Sequence, residues 1–204
     1  MYIPKAFELT DINEAVNFMQ RYSFATLINV NNKVPVATHL PFVIKLTGDQ
    51  VILSSHLAKP NQQAQDLVQR TSLVIFTEPH AYIAPQHYVK ELNVPTWNYI
   101  AVHAYGNAVI VNNEEQQLQA LEEMIAAYDT EYLKQWEKLP MDYKLKMSKG
   151  IVVFDILVTD LQGKKKLSQN RSEIDRHNVI EALSASNNLN KKVISNYMRL
   201  EEDK

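Results

Sequence analysis

The stretch "SFATLINVNNKVPVATHLPFVIKLTGDQVILSSHL", residues 23–57, decides the fold class. It contains three apolar runs, at 23–30, 33–46 and 50–57, of the length and composition typical of strands. Only the turn-forming segments "NVNNK" and "LTGDQ" separate these runs. Connections this short join antiparallel strands, because a parallel crossover needs about a dozen residues or more. The stretch therefore predicts an antiparallel meander.

The same reading extends to the rest of the chain. Further strands are predicted at 71–78, 97–112 and 150–161. Helical patterns are predicted at 10–22, 60–70 and 113–147, with a final pair of helices after residue 172. Short turns between strands, with helices at the rim, favour an α+β fold that is mainly β, a small antiparallel barrel with peripheral helices. We expect residues 1–172 to form the barrel domain and residues 173–204 to form a C-terminal helical appendage packed on it.

Composition excludes several classes of chemistry. The 204 residues include no cysteine, which excludes thiolate nucleophiles, disulfides and cysteine-ligated metal centres. The four glycines form neither GxGxxG nor GxxxxGK[ST], so a dinucleotide fold of the Rossmann type or a P-loop is not expected. The six histidines show no HxH or HxxxH spacing, and we expect no metal site.

Charge and hydropathy bear on partners and location. The net charge of −2 gives no global basic field that would attract nucleic acid. Neither a secretory signal nor an apolar run of the roughly 20 residues that a membrane helix needs is visible. The lack of cysteine suits a reducing compartment. We therefore expect a cytoplasmic protein without a membrane partner.

Two polar segments interrupt the predicted meander, and each has two interpretations. In "THLPF", residues 38–42, Thr38 and His39 either pack locally on an edge strand or face a ligand. In "SSHLAKPNQQ", residues 54–63, a strand ends in hydroxyl, imidazole and ammonium groups just before a helix begins. That arrangement suits either simple helix capping or a phosphate at the helix N-terminus.

Two later segments are also ambiguous. In "VPTWNYIAVHAYG", residues 94–106, alternation puts Trp97, Tyr99, His103 and Tyr105 on one face of a strand and Asn98 with Val102 on the other. The aromatic face is suited to packing in the core, to a dimer interface, or to contact with a planar aromatic ligand. "KKKLSQNRSEIDRH", residues 164–177, is either a solvated loop or a cationic lip over an anion.

Taken together, the motifs resemble the PaiB family. The resemblance rests on "MYIPKAF", "ATHLPF", "HLA" followed by "NQQ", "PHAYI", "VPTWNY", "VHAYG" and "KLSQNR" followed by "DRHNVIEAL", in this order from residue 1 to about 190. Members are FMN-binding split-barrel proteins known as negative transcriptional regulators. The resemblance implies a split β-barrel of antiparallel strands, a homodimer, and FMN near the dimer interface.

The resemblance also implies site residues. Ser55 and Lys59 would hold the phosphate, with His56 and Asn61 nearby. The other implied cofactor-binding residues are Thr38, His39, Trp97, Asn98, Lys166, Gln169 and Arg171. Lys164 and Lys165 are expected to be solvated. The chain departs from the family pattern at Ser55, where glycine is usual, and at "NQQA", where Asn-Pro-Gln-Trp is usual.

Three functions follow from the resemblance. The first is a transcriptional regulator of protease and sporulation genes with flavin as ligand or redox cofactor. The second is a flavin-dependent oxidoreductase that does not bind DNA, and the third a split-barrel protein that binds haem through a histidine. DNA has weak support, because residues 173–204, the only segment shaped like a helix-turn-helix, carry one more acidic than basic residue.

Overall fold

The computed structural model describes residues 1–202 and consists of an antiparallel sheet with helices around it. The strands are β1 (Glu8–Leu9), β2 (Phe24–Asn31), β3 (Val34–Pro41), β4 (Val43–Thr47), β5 (Gln50–Ala58), β6 (Thr71–Phe76), β7 (His80–Ile83), β8 (Thr96–Ile110) and β9 (Ile151–Lys166). The helices are α1 (Ile12–Arg21), α2 (Gln62–Asp66), α3 (Glu114–Tyr128), α4 (Thr130–Lys138), α5 (Met141–Ser148), α6 (Glu173–Ser184) and α7 (Leu189–Glu202). Short 3-10 helices occupy Lys5–Phe7, Leu67–Gln69 and Pro85–His87. None of the helices in residues 1–202 is long and apolar enough to span a membrane.

The predicted meander is present as β2 to β5. The run at 33–46 forms two strands rather than one, because Phe42 leaves the ladder between β3 and β4 and buries its ring. The antiparallel pairs include β2 with β3 and β6, and β5 with β4 and β9. The strand order is β3-β2-β6-β8-β9-β5-β4, with β1 beside β9 and β7 beside β8. In the part of the chain described, the sheet stays open between β3 and β4, and the α+β prediction is confirmed.

The chain divides into two units. The first unit comprises residues 1–12, 77–102 and 162–202, and its buried side chains include Ile83, Ile180 and Ile194. The second unit comprises residues 13–76 and 103–161. At its centre the Phe42 ring packs edge-on against Phe76 and Phe154, with centroids 5.9 Å and 6.5 Å apart. The boundary predicted between residues 172 and 173 stays a prediction, and residues 203 and 204 of the expected appendage lie outside the described residues.

The last strand is longer than the sequence predicts. It was expected to end at 161, but β9 continues to Lys166 because β1 adds a partner along its final residues, with Glu8 opposite Lys164 and Leu9 opposite Gly163. The expectation that Lys164 and Lys165 are solvated is wrong: they are only 8% and 6% exposed. The extra strand pairing keeps them within the sheet, and no loop begins until Leu167.

Candidate functional site

The predicted site residues fall into two groups, one in each unit. The second unit contains Thr38, His39, Ser55, His56, Lys59 and Asn61. The first unit contains Trp97, Asn98, Lys166, Gln169 and Arg171. The geometry of each group is described separately.

In the second unit, Thr38 and Asn61 form hydrogen bonds with each other and with the buried Gln63. Asn61 precedes α2 and caps it, since its side-chain oxygen accepts a hydrogen bond from the Gln63 backbone N–H at 2.9 Å. The Asn61 amide donates to Thr38 Oγ1 at 3.1 Å, and the Thr38 hydroxyl donates to Gln63 Oε1. The helix-capping interpretation of this segment is therefore confirmed.

Gln63 is the centre of this network, although no sequence motif distinguishes it from its neighbours. Its Nε2 donates to Asn29 Oδ1 at 3.0 Å, and to the backbone carbonyls of Leu27 and Val36 at 3.4 Å and 3.3 Å. The Asn29 amide in turn donates to Ser72 Oγ at 3.0 Å. These groups are buried and bonded to one another, so the network ties α2 to β2, β3 and β6. In the motif "NQQ", Gln63 differs from Gln62 only in being buried while Gln62 is exposed. That difference in burial cannot be read from the sequence.

Ser55 and His56 lie next to each other on β5 but face opposite sides. Ser55 is fully buried, and its hydroxyl donates to the Pro41 carbonyl at 2.7 Å. His56 is half-buried, and its Nδ1 is shielded from solvent without a hydrogen-bond partner in residues 1–202. Burial lowers the pKa of His56 below its usual value, so the neutral imidazole is favoured. Lys59 follows on the surface, where its backbone N–H donates to the Gly150 carbonyl at 2.9 Å.

His39 lies on β3, at one edge of the sheet. Its Nδ1 is 3.0 Å from Thr26 Oγ1, and its ring stacks on Phe24 with centroids 6.4 Å apart. The local edge-strand packing considered for this residue is therefore present. The Phe24 ring is 70% exposed, which leaves an open aromatic surface beside the imidazole.

In the first unit, three cations lie close together, and within residues 1–202 none of them forms an ion pair. Lys164 and Lys166 share one face of β9 by strand alternation, and Arg171 follows the strand. Aromatic rings lie below all three charges: the cation-to-centroid distances are 5.3 Å from Lys164 to Tyr99 and 4.3 Å from Arg171 to Tyr88. Lys166 lies 5.9 Å from the Phe7 ring. Cation–π contacts stabilise a charge without neutralising it, so this cluster keeps a net positive potential.

Two of these cations, Lys166 and Arg171, border a small cavity. It has a volume of about 120 Å³ and is lined by Phe7, Thr96, Asn98, Lys166, Ser168, Asn170 and Arg171. No carboxylate is among these lining residues. The nearby Asp175 carboxylate already accepts a 2.8 Å hydrogen bond from the Val89 backbone N–H, and this bond is the main reason that its pKa is lowered. Burial and the charges of Lys164 and Arg171 lower the pKa of Lys166, as expected where like charges lack a counterion.

Each predicted residue of this group has a distinct environment. The Lys166 ammonium donates to Thr96 Oγ1 and, at 2.7 Å, to the Trp97 carbonyl. The Arg171 Nη1 donates to Asn93 Oδ1 at 2.8 Å, which leaves the rest of the guanidinium at the cavity. Gln169 folds back on the strand end, accepting from the Leu167 N–H at 2.7 Å and donating to the Lys165 carbonyl at 2.6 Å.

Trp97 and Asn98 point to opposite faces of β8, as the alternation predicts. Asn98 is fully buried, whereas the Trp97 side chain is half exposed. Two rings from β7 accompany Trp97: Tyr82 at a centroid distance of 5.7 Å and His80 at 5.8 Å. The result is an exposed aromatic cluster on the β7–β8 hairpin.

Two residues that line the cavity, Thr96 and Ser168, were not predicted, although Ser168 lies inside the quoted motif "KLSQNR".

Within residues 1–202 no group of three or more His, Asp or Glu side chains is arranged to hold a metal ion. A phosphate or carboxylate is the ligand type that the cavity suits, because it offers cationic and neutral hydrogen-bond donors together. Its volume is below the roughly 300–1,000 Å³ of a typical small-molecule site, so it would hold one anionic group of a larger ligand.

Two comparisons of the sequence with known proteins identify its family. A family model described as "Putative FMN-binding domain" matches residues 1–160. The chain is 41% identical over 208 residues to "Protease synthase and sporulation protein PAI 2" of Bacillus subtilis (strain 168), covering 100% of this chain and 98% of the relative.

Solved structures show the same fold at low identity. The flavocytochrome Anf3 from Azotobacter vinelandii matches with a TM-score of 0.62 and 16% identity, covering 80% of this chain and 72% of that one. The FAD and heme binding protein from Mycobacterium smegmatis matches with a TM-score of 0.59 and 13% identity, covering 78% and 73%. The split-barrel prediction is confirmed. The chain belongs to the FMN-binding-domain family and is PaiB-like, as its motifs imply.

Proposed function

We propose that the protein binds FMN as a PaiB-type regulator, and that the cationic cavity of the first unit holds the phosphate of the flavin. The observation that carries this proposal is that Lys166 and Arg171 line the cavity, that Lys164 shares the face of β9 with Lys166, and that no carboxylate is among the lining residues. A phosphate monoester carries close to two negative charges at neutral pH and accepts several hydrogen bonds. It would neutralise this cluster, whereas a neutral ligand would leave the repulsion in place.

The residues present suit the rest of a flavin as well. The half-exposed Trp97, together with Tyr82 and His80, offers aromatic faces to a planar ring system. When bound, the flavin would supply redox chemistry through its isoalloxazine ring. The chain's own part would be to hold the anionic end of the flavin with Lys166 and Arg171. Trp97, which points to the opposite face of β8 from the cavity residue Asn98, is proposed as a ring contact on the family resemblance alone.

The residues of the second unit are proposed as flavin contacts on separate grounds, namely the family resemblance. His39 and Lys59 are exposed, and so are available to a ligand. Thr38, Asn61 and Ser55 already form hydrogen bonds within the protein, so a ligand would have to share these partners. For the buried Ser55, whose hydroxyl donates to the Pro41 carbonyl, we expect a structural role that joins β5 to the end of β3.

Binding is tested by the absorbance spectrum of the purified protein and by titration with FMN. We expect a flavin spectrum, with Arg171→Ala and Lys166→Met weakening FMN binding by about 10-fold or more, since each removes a charge-assisted hydrogen bond. The matched control is Lys138→Met, an exposed lysine at the end of α4 in the second unit, which should leave affinity unchanged. No FMN binding by the wild-type protein would contradict the proposed function, and equal effects of all three variants would contradict the phosphate assignment.

The regulatory role is a further part of the proposal, supported by the 41% identity to a relative named for protease synthase and sporulation. A cytoplasmic homodimer with flavin as ligand or redox cofactor is what we expect, and an oxidoreductase without DNA binding is the alternative. A gel-shift titration with DNA separates a regulator that binds DNA directly from an oxidoreductase that does not. Direct binding should weaken steeply with salt and should be lost in the double variant Lys191→Ala, Lys192→Ala.

A second candidate, haem binding, is favoured by one observation. The unpartnered Nδ1 and lowered pKa of His56 keep its imidazole neutral, which is the form that ligates haem iron. The same spectrum decides, because haem and flavin absorb differently. A haem spectrum that disappears in His56→Ala would replace the FMN proposal.

A further inference from the structure

Ser168 adopts a backbone conformation that serine rarely takes. Its φ is +66°, in the left-handed region that favours glycine, and the residue is only 3% exposed. Such a conformation costs of order 1–3 kcal/mol and persists where surrounding contacts fix it. Glycine would remove the strain, so the serine side chain must do something at this position that glycine cannot.

The side chain of Ser168 is paired with Asn98. The Asn98 Nδ2 donates a hydrogen bond to Ser168 Oγ at 2.9 Å. The Ser168 hydroxyl donates in turn to Asn98 Oδ1 at 3.1 Å. Asn98 is fully buried, and its Nδ2 also contacts Met198 Sδ of α7 at 3.5 Å. Both ends of the asparagine amide are therefore committed inside the first unit. A direct contact of this amide with a flavin would have to break the pair.

Ser168 lies in the turn that joins the two cavity cations. The Arg171 N–H donates to the Ser168 carbonyl at 2.9 Å, which closes the turn after β9. Lys166 precedes this turn and Arg171 follows it, and both border the same cavity as Asn98 and Ser168. The left-handed residue is thus the point at which the chain bends to place the second cation beside the first.

We propose that Ser168 and Asn98 are positioning residues: their buried hydrogen-bonded pair fixes the turn that holds Lys166 and Arg171 around one anionic group, a phosphate or a carboxylate. The identity of the ligand in this inference rests on the proposed function, whereas the hydrogen-bonded pair and the turn are observed in the structure. Pre-organised cations bind an anion more tightly, because little conformational freedom is lost on binding. Losing the pair should therefore weaken anion binding more than it weakens folding.

The test uses the full-length protein with Ser168→Gly and Asn98→Ala. Ser168→Gly keeps the left-handed backbone at no steric cost and removes the whole side chain, and with it the hydroxyl that pairs with Asn98. Ser195→Ala is the matched control, since Ser195 is also a buried serine of the first unit, bonded locally to the Lys192 carbonyl at 2.7 Å and absent from the cavity lining. We expect FMN affinity to fall by about 10-fold in Ser168→Gly and Asn98→Ala and to be unchanged in Ser195→Ala.

A second measurement needs no ligand. NMR titration of the Lys166 side chain reports its burial and how close its neighbouring cations are held, since both lower its pKa. In both cavity variants this pKa should rise towards the ordinary value, whereas Ser195→Ala should leave it unchanged. Inorganic phosphate serves as a separate probe: it should bind the wild-type protein and should bind Ser168→Gly more weakly. An unchanged Lys166 titration in both variants overturns the positioning role, even if FMN binds. A shifted titration in a protein that binds neither FMN nor phosphate overturns the proposed function alone.

Discussion

Lys165 and Lys166 are neighbours in β9, but among the residues that the structure describes Lys165 forms an ion pair with a carboxylate and Lys166 does not. The Lys165 Nζ lies 2.6 Å from Glu201 Oε1, whereas the Lys166 ammonium donates to a hydroxyl and a backbone carbonyl. Strand alternation is the reason, because successive side chains point to opposite faces. One face of the strand end therefore anchors α7 through an ion pair, and on the other face the Lys166 ammonium forms hydrogen bonds with neutral groups.

Glu201→Gln should destabilise the protein. Lys165 is 6% exposed, so loss of the carboxylate leaves a largely buried charge with weaker compensation. We expect a loss of about 2–4 kcal/mol in the free energy of unfolding, measured by urea denaturation. The control is Glu181→Gln, which breaks a surface pair with Arg199 whose side chains are 59% and 47% exposed, and should cost less than about 1 kcal/mol. Equal effects would show that the Lys165 pair is no stronger than a surface pair.

His56 should make stability fall in mild acid. Its pKa in the folded protein is lowered from 6.5 by burial, so the unfolded chain takes up a proton at a higher pH than the folded chain does. As the pH falls through 6.5 towards the lowered pKa, the unfolded state binds more protons and the free energy of unfolding decreases. His56→Gln removes this contribution. Unfolding curves of both proteins between about pH 8 and pH 5 should diverge, and parallel curves would contradict the shift.

Gln63→Ala should disrupt the buried network of the second unit. Truncation leaves the Asn29 side chain and the Thr38 hydroxyl without one partner each. Unsatisfied buried polar groups cost about 1–3 kcal/mol each, so a lower midpoint of thermal unfolding is expected. Gln62→Ala is the control, because Gln62 is the exposed neighbour in the same helix. If both variants melted at the same temperature, the network would contribute nothing measurable.

The sequence predicts those features that depend on neighbouring residues. The meander, the capping of α2 by Asn61 and the alternation of Trp97 with Asn98 follow from turn chemistry, cap preference and strand period. They needed no knowledge of distant partners. The cluster of Lys166 and Arg171 at one cavity could be suspected because both lie in one short motif.

Features that depend on distant residues were not predictable. The burial of Lys164 and Lys165 requires β1, some 155 residues earlier in the chain, and the Glu201 carboxylate of α7. The role of Gln63 depends on Asn29 and Ser72, which come from two other strands. A local sequence pattern does not indicate such contacts, because lysine and glutamine occur equally in segments that are exposed to solvent.

Gly106→Ala should be strongly destabilising, although Gly106 needs no unusual backbone conformation. A Cβ at this position of β8 would overlap the Leu157 carbonyl oxygen of the second unit and come within 2.7 Å of Ile156 Cγ2. Because the obstacle is backbone, the strands must separate, at a cost of about 1–3 kcal/mol or more in the free energy of unfolding. Gly150→Ala is the control, since the nearest atom to its Cβ would be the Met147 carbonyl oxygen at 3.5 Å, an ordinary contact. Urea unfolding of the two variants should differ clearly, and equal stabilities would mean that β8 and β9 are not this closely packed at Gly106.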